Sequence, residues 1–252
     1  MNKNSILLGL MFLFLLIGNV QATDITGCIN ITSSGEYYLQ NDIYTTSLFC
    51  INITASNVLL DCNNHTIYGN RSPNSYGIGT PYTSDYNLSN ITIRNCYLNG
   101  WWRALYIGAE IWDSKIINVH TSNSSNISDY ANGILIHNGC NNVIIDTVSV
   151  NGTLPKGGGI ALYQCNNSVI RNFVVGYTGA QSLGVGVNGH VGSWNDTIEN
   201  GYIHHCQRPL GAVQQYAGNI TFTNITVENS YPSVDCLIDL GEGAGNVSPI
   251  IF

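Results

Sequence analysis

Cys140-Asn141-Asn142-Val143-Ile144-Ile145-Asp146-Thr147-Val148-Ser149-Val150 returns one unit later as Cys165-Asn166-Asn167-Ser168-Val169-Ile170-Arg171-Asn172-Phe173-Val174-Val175. Each copy reads as a turn, a short strand, a one-residue corner and a second short strand, and a recurring unit of this kind decides the architecture. Asn90-Ile91-Thr92-Ile93-Arg94-Asn95, Asn195 to Asn200 and Asn219 to Asn224 fall on the same frame, with weaker copies at Asn57 to Cys62 and Asp113 to Asn118. The apolar anchors are Leu60, Ile93, Ile116, Ile145, Ile170, Ile198 and Phe222, spaced 23 to 33 residues apart. Within each copy apolar residues alternate with others, the period-2 pattern of a half-buried strand. A second short run precedes most copies: Ala104 to Ile107, Gly133 to Ile136, Gly159 to Leu162, Gly184 to Val187 and, last, Leu237 to Leu240. Three short strands in such a unit leave too few residues for helical crossovers between parallel neighbours. Winding as a solenoid remains, each turn about 4.8 Å above the last.

The corner position holds Cys62, Asn95, Asn118, Thr147, Asn172, Asn200 and Asn224. Asparagine tolerates left-handed backbone geometry, and stacked amides can hydrogen-bond along a column. At these residues the chain resembles the right-handed parallel β-helix repeat proteins, with their pectate-lyase-like and NosD-like members. The resemblance spans about Cys50 to Leu240. It implies an all-β, single-stranded right-handed parallel β-helix of about seven to eight coils with an N-terminal cap. It carries little about function, since this architecture serves lyases, hydrolases, epimerases, adhesins and plain spacers.

Residues 1–22 are expected to be a signal peptide: Lys3 opens it, Ile6 to Ile17 is its apolar core and Val20-Gln21-Ala22 its cleavage site. The apolar run is short for a membrane span of about 20 residues, so no span is expected after cleavage. Residues 23–50, where the repeat is absent, are expected to cap the open end, and 51–252 to form one β-helix domain. Long insertions all follow the last strand of a coil, at Asn70 to Tyr76, Asn99 to Arg103, His120 to Asn132, Asn151 to Gly158 and Cys206 to Pro209, and so project from one edge. The tail Val247 to Phe252 either covers the last coil or leaves it to stack on another surface protein.

Eight Lys and Arg stand against fifteen Asp and Glu, a net charge of −7 that excludes a nucleic-acid partner. An even number of cysteines in an exported chain favours disulfides. Cys140 and Cys165 hold equivalent corners one coil apart, within disulfide reach; stacked free thiols are the alternative. Cys28 with Cys50 or Cys62 would pin the cap. No Cys/His spacing suits zinc, and neither metal nor cofactor is expected. Glycosylation sequons are abundant, among them those opened by Asn30, Asn52, Asn64, Asn87, Asn90, Asn123, Asn126, Asn151, Asn219 and Asn224. A corner Asn, an inward apolar residue and an outward Thr produce the same motif from the fold alone.

The outward residues just before the corner are Asp61, Arg94, Ile117, Asp146, Arg171, Glu199 and Thr223; Asp146, Arg171 and Glu199 alternate in sign on consecutive coils, which reads as stabilisation between coils. In the resembled lyases and hydrolases, substrate lies along the first strand's outer face. Here that stripe carries Tyr106, His137, Tyr163, Asn188 and Gln215, with Trp101 and Trp102 on a neighbouring loop. Aromatic faces and amides suit sugar rings. A glycosidase needs two carboxylates flanking the bond; Asp235, Asp239 and Glu242 are the dense acidic group, with Asp239 pointing outward. A lyase wants a calcium-binding cluster and a basic residue, and the segment after the signal has only Lys115 and Lys156 and scattered arginines. Gly189-His190-Val191-Gly192 resembles the Gly-His-Gly of polygalacturonases without that family's other motifs. His204 and His205 with Arg208 are adjacent, but strand neighbours point to opposite faces. The expectation is a secreted or cell-surface protein that binds a polysaccharide or other glycan, or forms part of a surface layer, without catalysis. The alternative is a polysaccharide lyase or glycoside hydrolase on the same face.

Overall fold

The computed structural model describes residues 22–82, 87–124, 131–153, 157–179, 185–188, 193–207, 209–213, 218–230, 238–240 and 250–251, with backbone alone for 186–188, 212–213, 238–240 and 250–251. Every strand pairing among them is parallel and joins one coil to the next. The apolar anchors meet in file: Leu60 on Ile93, then Ile116, Ile145, Ile170, Ile198 and Phe222. The solenoid makes about seven turns.

Three sheets wrap the core. A 12-stranded sheet holds the long strands, among them Ile91–Asn99, Lys115–Ser122, Ile144–Asn151, Val169–Gly176, Thr197–His204 and Thr221–Glu228. A 9-stranded sheet runs through Tyr76–Thr80, Arg103–Ile107, Asn132–Ile136 and Gly158–Tyr163. A 4-stranded sheet comprises Asn87–Ser89, Glu110–Trp112, Cys140–Asn141 and Cys165–Asn166. Alternation puts Ile91, Ile93, Cys96 and Leu98 inside while Thr92, Arg94, Tyr97 and Asn99 face out.

Left-handed corners turn the chain at three places per coil. The mid-strand corner has φ near +55° at Asn95, Asn118, Thr147, Asn172, Asn200 and Asn224. A second column precedes the long strand: Asn57, Asn90, Asp113, Asn142, Asn167, Asn195 and Asn219. A third follows it at Gly100, Asn123, Gly152, Tyr177, His205 and Asn229. The amides do stack. Asn118 Nδ2 donates to Asn95 Oδ1 at 2.9 Å, Asn224 to Asn200 at 2.8 Å and Asn90 to Asn57 at 2.9 Å. At three inward polar positions the side chain satisfies a backbone N–H of the neighbouring coil, whereas Thr121 Oγ1 is buried without a partner among the described residues. Ser114 Oγ accepts from Ile91 N at 3.0 Å, Ser168 Oγ from Val143 N at 3.1 Å and Asp196 Oδ1 from Ser168 N at 2.8 Å.

Three expectations need correction. Residues 23–50 are already coil: Ala22–Ile25 pairs with Gly35–Leu39, which pairs with Val58–Asp61, and Ile29–Ile31 pairs with Phe49–Ile53. The repeat was hidden there because the anchor is Tyr37 and Gln40 to Asp42 split the long strand in two. Cys62 is not the left-handed corner of its coil; Asn63 and Asn64 are, because two extra residues enter there. Cys28 pairs with Cys50 and Cys140 with Cys165, but Cys62 bonds Cys96, a pairing the repeat frame did not suggest. Cys206 is a buried free thiol, and Cys236 lies outside the described residues. In the tail, Ile250–Ile251 continues the long sheet beside Ile225 and Thr226.

Candidate functional site

The outward positions of the 9-stranded sheet form two columns. One runs Gly79, Tyr106, Leu135, Ala161, Gly186, Gly211 and Asp239 by register. The next carries His137, Tyr163, Asn188 and Val213, one outward step along each strand. Although they face away from the main core, Tyr106, Leu135 and Ala161 are buried, in a small separate cluster with Tyr76 and Tyr163 packed against it. The first column is therefore a foundation, and the rings that reach solvent stand beside it.

Tyr82 is the most open of these, at 64% exposure. Its ring lies 6.4 Å from Tyr106 and meets His137 edge-on at 5.2 Å. His137 stacks on Tyr163 at 5.2 Å. Glycine at 108 permits this: a Cβ there would come within 2.8 Å of both the Pro81 carbonyl oxygen and Tyr82 Cα, so the chain crosses directly over it. The result is a row of three half-open rings over a dry base.

Below the row sits Arg103. Its guanidinium carbon lies 4.0 Å from the Trp102 ring centre and 4.8 Å from that of Tyr106, both cation–π contacts. Burial pushes the Tyr76 and Tyr106 hydroxyls up in pKa, and the Arg103 charge only partly opposes this, so both stay protonated donors. Arg103 meets no carboxylate among the described residues, and its Nε and Trp102 Nε1 are buried without a partner.

The sequence-predicted stripe is thus only partly assembled. Trp101 offers no face to a ligand: it is fully buried, and its Nε1 donates to Ile67 O at 3.0 Å. It fills the gap beside Gly69 and Gly77, where an added Cβ would strike the indole. Trp102 and Tyr106 are likewise buried, under Arg103 and against Tyr76. His137 and Tyr163 come together as expected. Asn188 follows Tyr163 in register, its side chain outside the described residues, as are Gln215, Asp235 and Glu242. Asp239 is placed opposite Gly211 in the Tyr106 column, by backbone alone. Tyr76, Tyr82 and Arg103 join the site without any signal in the repeat pattern. Tyr82 rides on an insertion after Thr80, at a corner where none was looked for.

Four of the outward charges serve the coil stack, while Glu199, beside Arg171 in register, makes no ion pair among the described residues. Arg94 Nε pairs with Asp61 at 2.7 Å and Arg171 Nε with Asp146 at 2.8 Å. Burial raises both carboxyls, but hydrogen bonds to the carboxylates outweigh it and hold them below the ordinary range: Asn63 N–H, Asn95 and Arg94 on Asp61; Asn172, Arg171 and Thr147 on Asp146. His204 and His205 do meet, contrary to strand alternation, because His205 occupies a left-handed corner; their Nδ1 atoms are 3.0 Å apart. Gly189 to Gly192 and Arg208 lie outside the described residues. Among the described residues no three His, Cys, Asp or Glu side chains group to hold a metal, and no helix is long and apolar enough to cross a membrane.

No family model matches the sequence, and no curated protein does. Among solved structures, the chain is similar to the enzymatically active domain of tailspike protein 2 from bacteriophage CBA120. The TM-score is 0.51 at 13% identity, over 92% of this chain and 43% of that one. The chain thus spans less than half the length of its structural neighbour, and at this identity the likeness concerns the fold. With the parallel register, the stacked corners and this neighbour in hand, the chain is a right-handed parallel β-helix protein.

Proposed function

We propose that the protein is secreted or surface-attached and binds a glycan along the outer face of the 9-stranded sheet, without catalysis of its own. The observation that carries this reading is the row Tyr82, His137 and Tyr163 standing on a buried apolar base. Rings part-open to solvent and carrying polar edges match the alternating apolar and hydroxyl surfaces of a sugar. Export is supported by the N-terminal apolar segment and by three disulfides, which persist in oxidising compartments.

The test is incubation of the full chain with a polysaccharide panel, reading retention by affinity electrophoresis and products by reducing-end and unsaturated-sugar assays. Retention without products is expected. Tyr82→Ala with Tyr163→Ala should weaken retention roughly tenfold, while Asp235→Ala, Asp239→Ala and Glu242→Ala should leave it unchanged. New reducing ends or unsaturated products that vanish in the carboxylate variants would replace this reading with a hydrolase or lyase.

A further inference from the structure

The 4-stranded sheet presents a different set of side chains on a different face. Its outward positions run Ser89, Trp112, Asn141 and Asn166 in register, and isolated bridges carry the column on to Trp194 and Gly218. Trp112 is 49% exposed and Trp194 54%. Three coils separate them, about 14 Å at about 4.8 Å per strand step. Two wide indoles therefore bracket two amides along the rod.

Each part of the column is held. The Trp194 ring lies over Gly218, where a Cβ would come within 2.2 Å of the ring, so a side chain there would displace the indole. Trp194 N donates to Asn166 Oδ1 at 3.1 Å, and Asn167 Nδ2 donates to Asn141 Oδ1 at 3.3 Å. Both amide oxygens are thereby engaged. The Nδ2 groups of Asn141 and Asn166 have no partner among the described residues and are left as outward donors. Beside them opens a cavity of about 360 Å³, lined by Glu110, Trp112, Asn138, Gln164 and both outward asparagines.

A single exposed tryptophan on a protein surface is ordinary. Two on one column, with oriented amide donors between them and a polar cavity alongside, form a row of alternating stacking faces and hydrogen-bond donors. The lining has no cation, and Glu110 would repel a carboxylate, sulfate or phosphate. We propose that this column is a binding site for a neutral oligosaccharide lying parallel to the rod. Sugar faces stack on Trp112 and Trp194, hydroxyl oxygens accept from Asn141 and Asn166 Nδ2, and a hydroxyl donates to Glu110. The site does not depend on the ring row of the 9-stranded sheet.

The test titrates the full chain with cellohexaose, mannohexaose and chitohexaose, with a polygalacturonate oligomer as acidic control, by tryptophan fluorescence and calorimetry. At least one neutral hexasaccharide should bind and the acidic one should not. Trp112→Ala and Trp194→Ala should each weaken binding roughly tenfold, and Trp112→Phe less. Thermal unfolding should remain cooperative in all three, with at most a small fall in midpoint, since about half of each indole is open to solvent. Val174→Ala, on the exposed face of the long-stranded sheet, should leave this binding intact. The proposal is overturned if no neutral hexasaccharide binds, or if the double tryptophan variant binds like the parent. Binding lost with Tyr82→Ala and Tyr163→Ala but kept in the tryptophan variants would also overturn it, while supporting the neighbouring face.

Discussion

Thr147 is the odd member of the mid-strand corner. Its φ of +55° matches the asparagines above and below, yet a β-branched side chain in that region is strained by on the order of 1–3 kcal/mol. It also interrupts the amide column: with no carboxamide at 147, Asn172 Nδ2 turns to Asp146 Oδ1 at 2.8 Å, and Thr147 Oγ1 donates to the same atom at 3.0 Å. Thr147→Asn should therefore stabilise the protein by about 1 kcal/mol, seen as a higher urea midpoint at unchanged slope. A lower midpoint would mean that the hydroxyl contributes more than the backbone strain costs. Asp196 sets a pH dependence of the opposite kind to Asp61 and Asp146. Burial pushes its carboxyl up to about 7, against the Ser168 N–H that lowers it, and Oδ2 has no partner. The folded state thus keeps this proton to higher pH than the unfolded chain. The stability so gained is full below the ordinary carboxylate range and is lost as pH rises through about 7, amounting to about 4 kcal/mol. Asp61 and Asp146, held low, act in reverse and weaken the fold only on acidification. Asp196→Asn should flatten the fall in thermal midpoint between pH 5 and pH 8; a parallel fall in parent and variant would remove Asp196 as its source.

At the scale of the element, the coil holding Val58–Asp61 and Thr66–Tyr68 is the irregular one. Asp61 faces Arg94 and Thr66 faces Tyr97, so Cys62 to His65 stand opposite only Asn95 and Cys96. The bulge is secured by the Cys62–Cys96 disulfide, with Cα atoms 4.8 Å apart, and by Asn63 Nδ2 donating to Leu39 O at 2.9 Å. The bond closes a sequence separation of 34 residues. Cys62→Ala with Cys96→Ala should cost about 3–4 kcal/mol in denaturant unfolding, similar to Cys140→Ala with Cys165→Ala over 25 residues. A loss below about 1 kcal/mol would show that the corner holds without the bond. The pairing was not legible beforehand because the repeat frame sets Cys62 opposite Asn95, and only the bulge carries it to Cys96. The regular coils were legible for the converse reason. From Ile93 to Phe222 each unit must bury the same apolar position and turn at the same left-handed residue, so the demand recurs in the sequence.

Over the whole molecule, that local recurrence made the rod readable and left the binding faces obscure. Which outward ring stays open depends on glycines and insertions in other coils. Trp101 disappears into space left by Gly69 and Gly77, while Tyr82 is thrown over Gly108. Trp112 and Trp194 stand in one column only because the coils between them are in register. Neither relation shows in a window one repeat long. The sequence placed His137 beside Tyr163 because both belong to the regular strand frame, and it misplaced Trp101 and Trp102 because a short connection turned them inward.

The parallel register has a metrical consequence. Loops of any length leave the coil at its corners, yet the strands on either side always rise by one strand spacing. The axial gap between two strand positions on the same face is therefore counted in whole coils, whatever number of residues the chain spends between them. The protein behaves as a graduated scale: insertions change what is displayed at a mark without moving the marks.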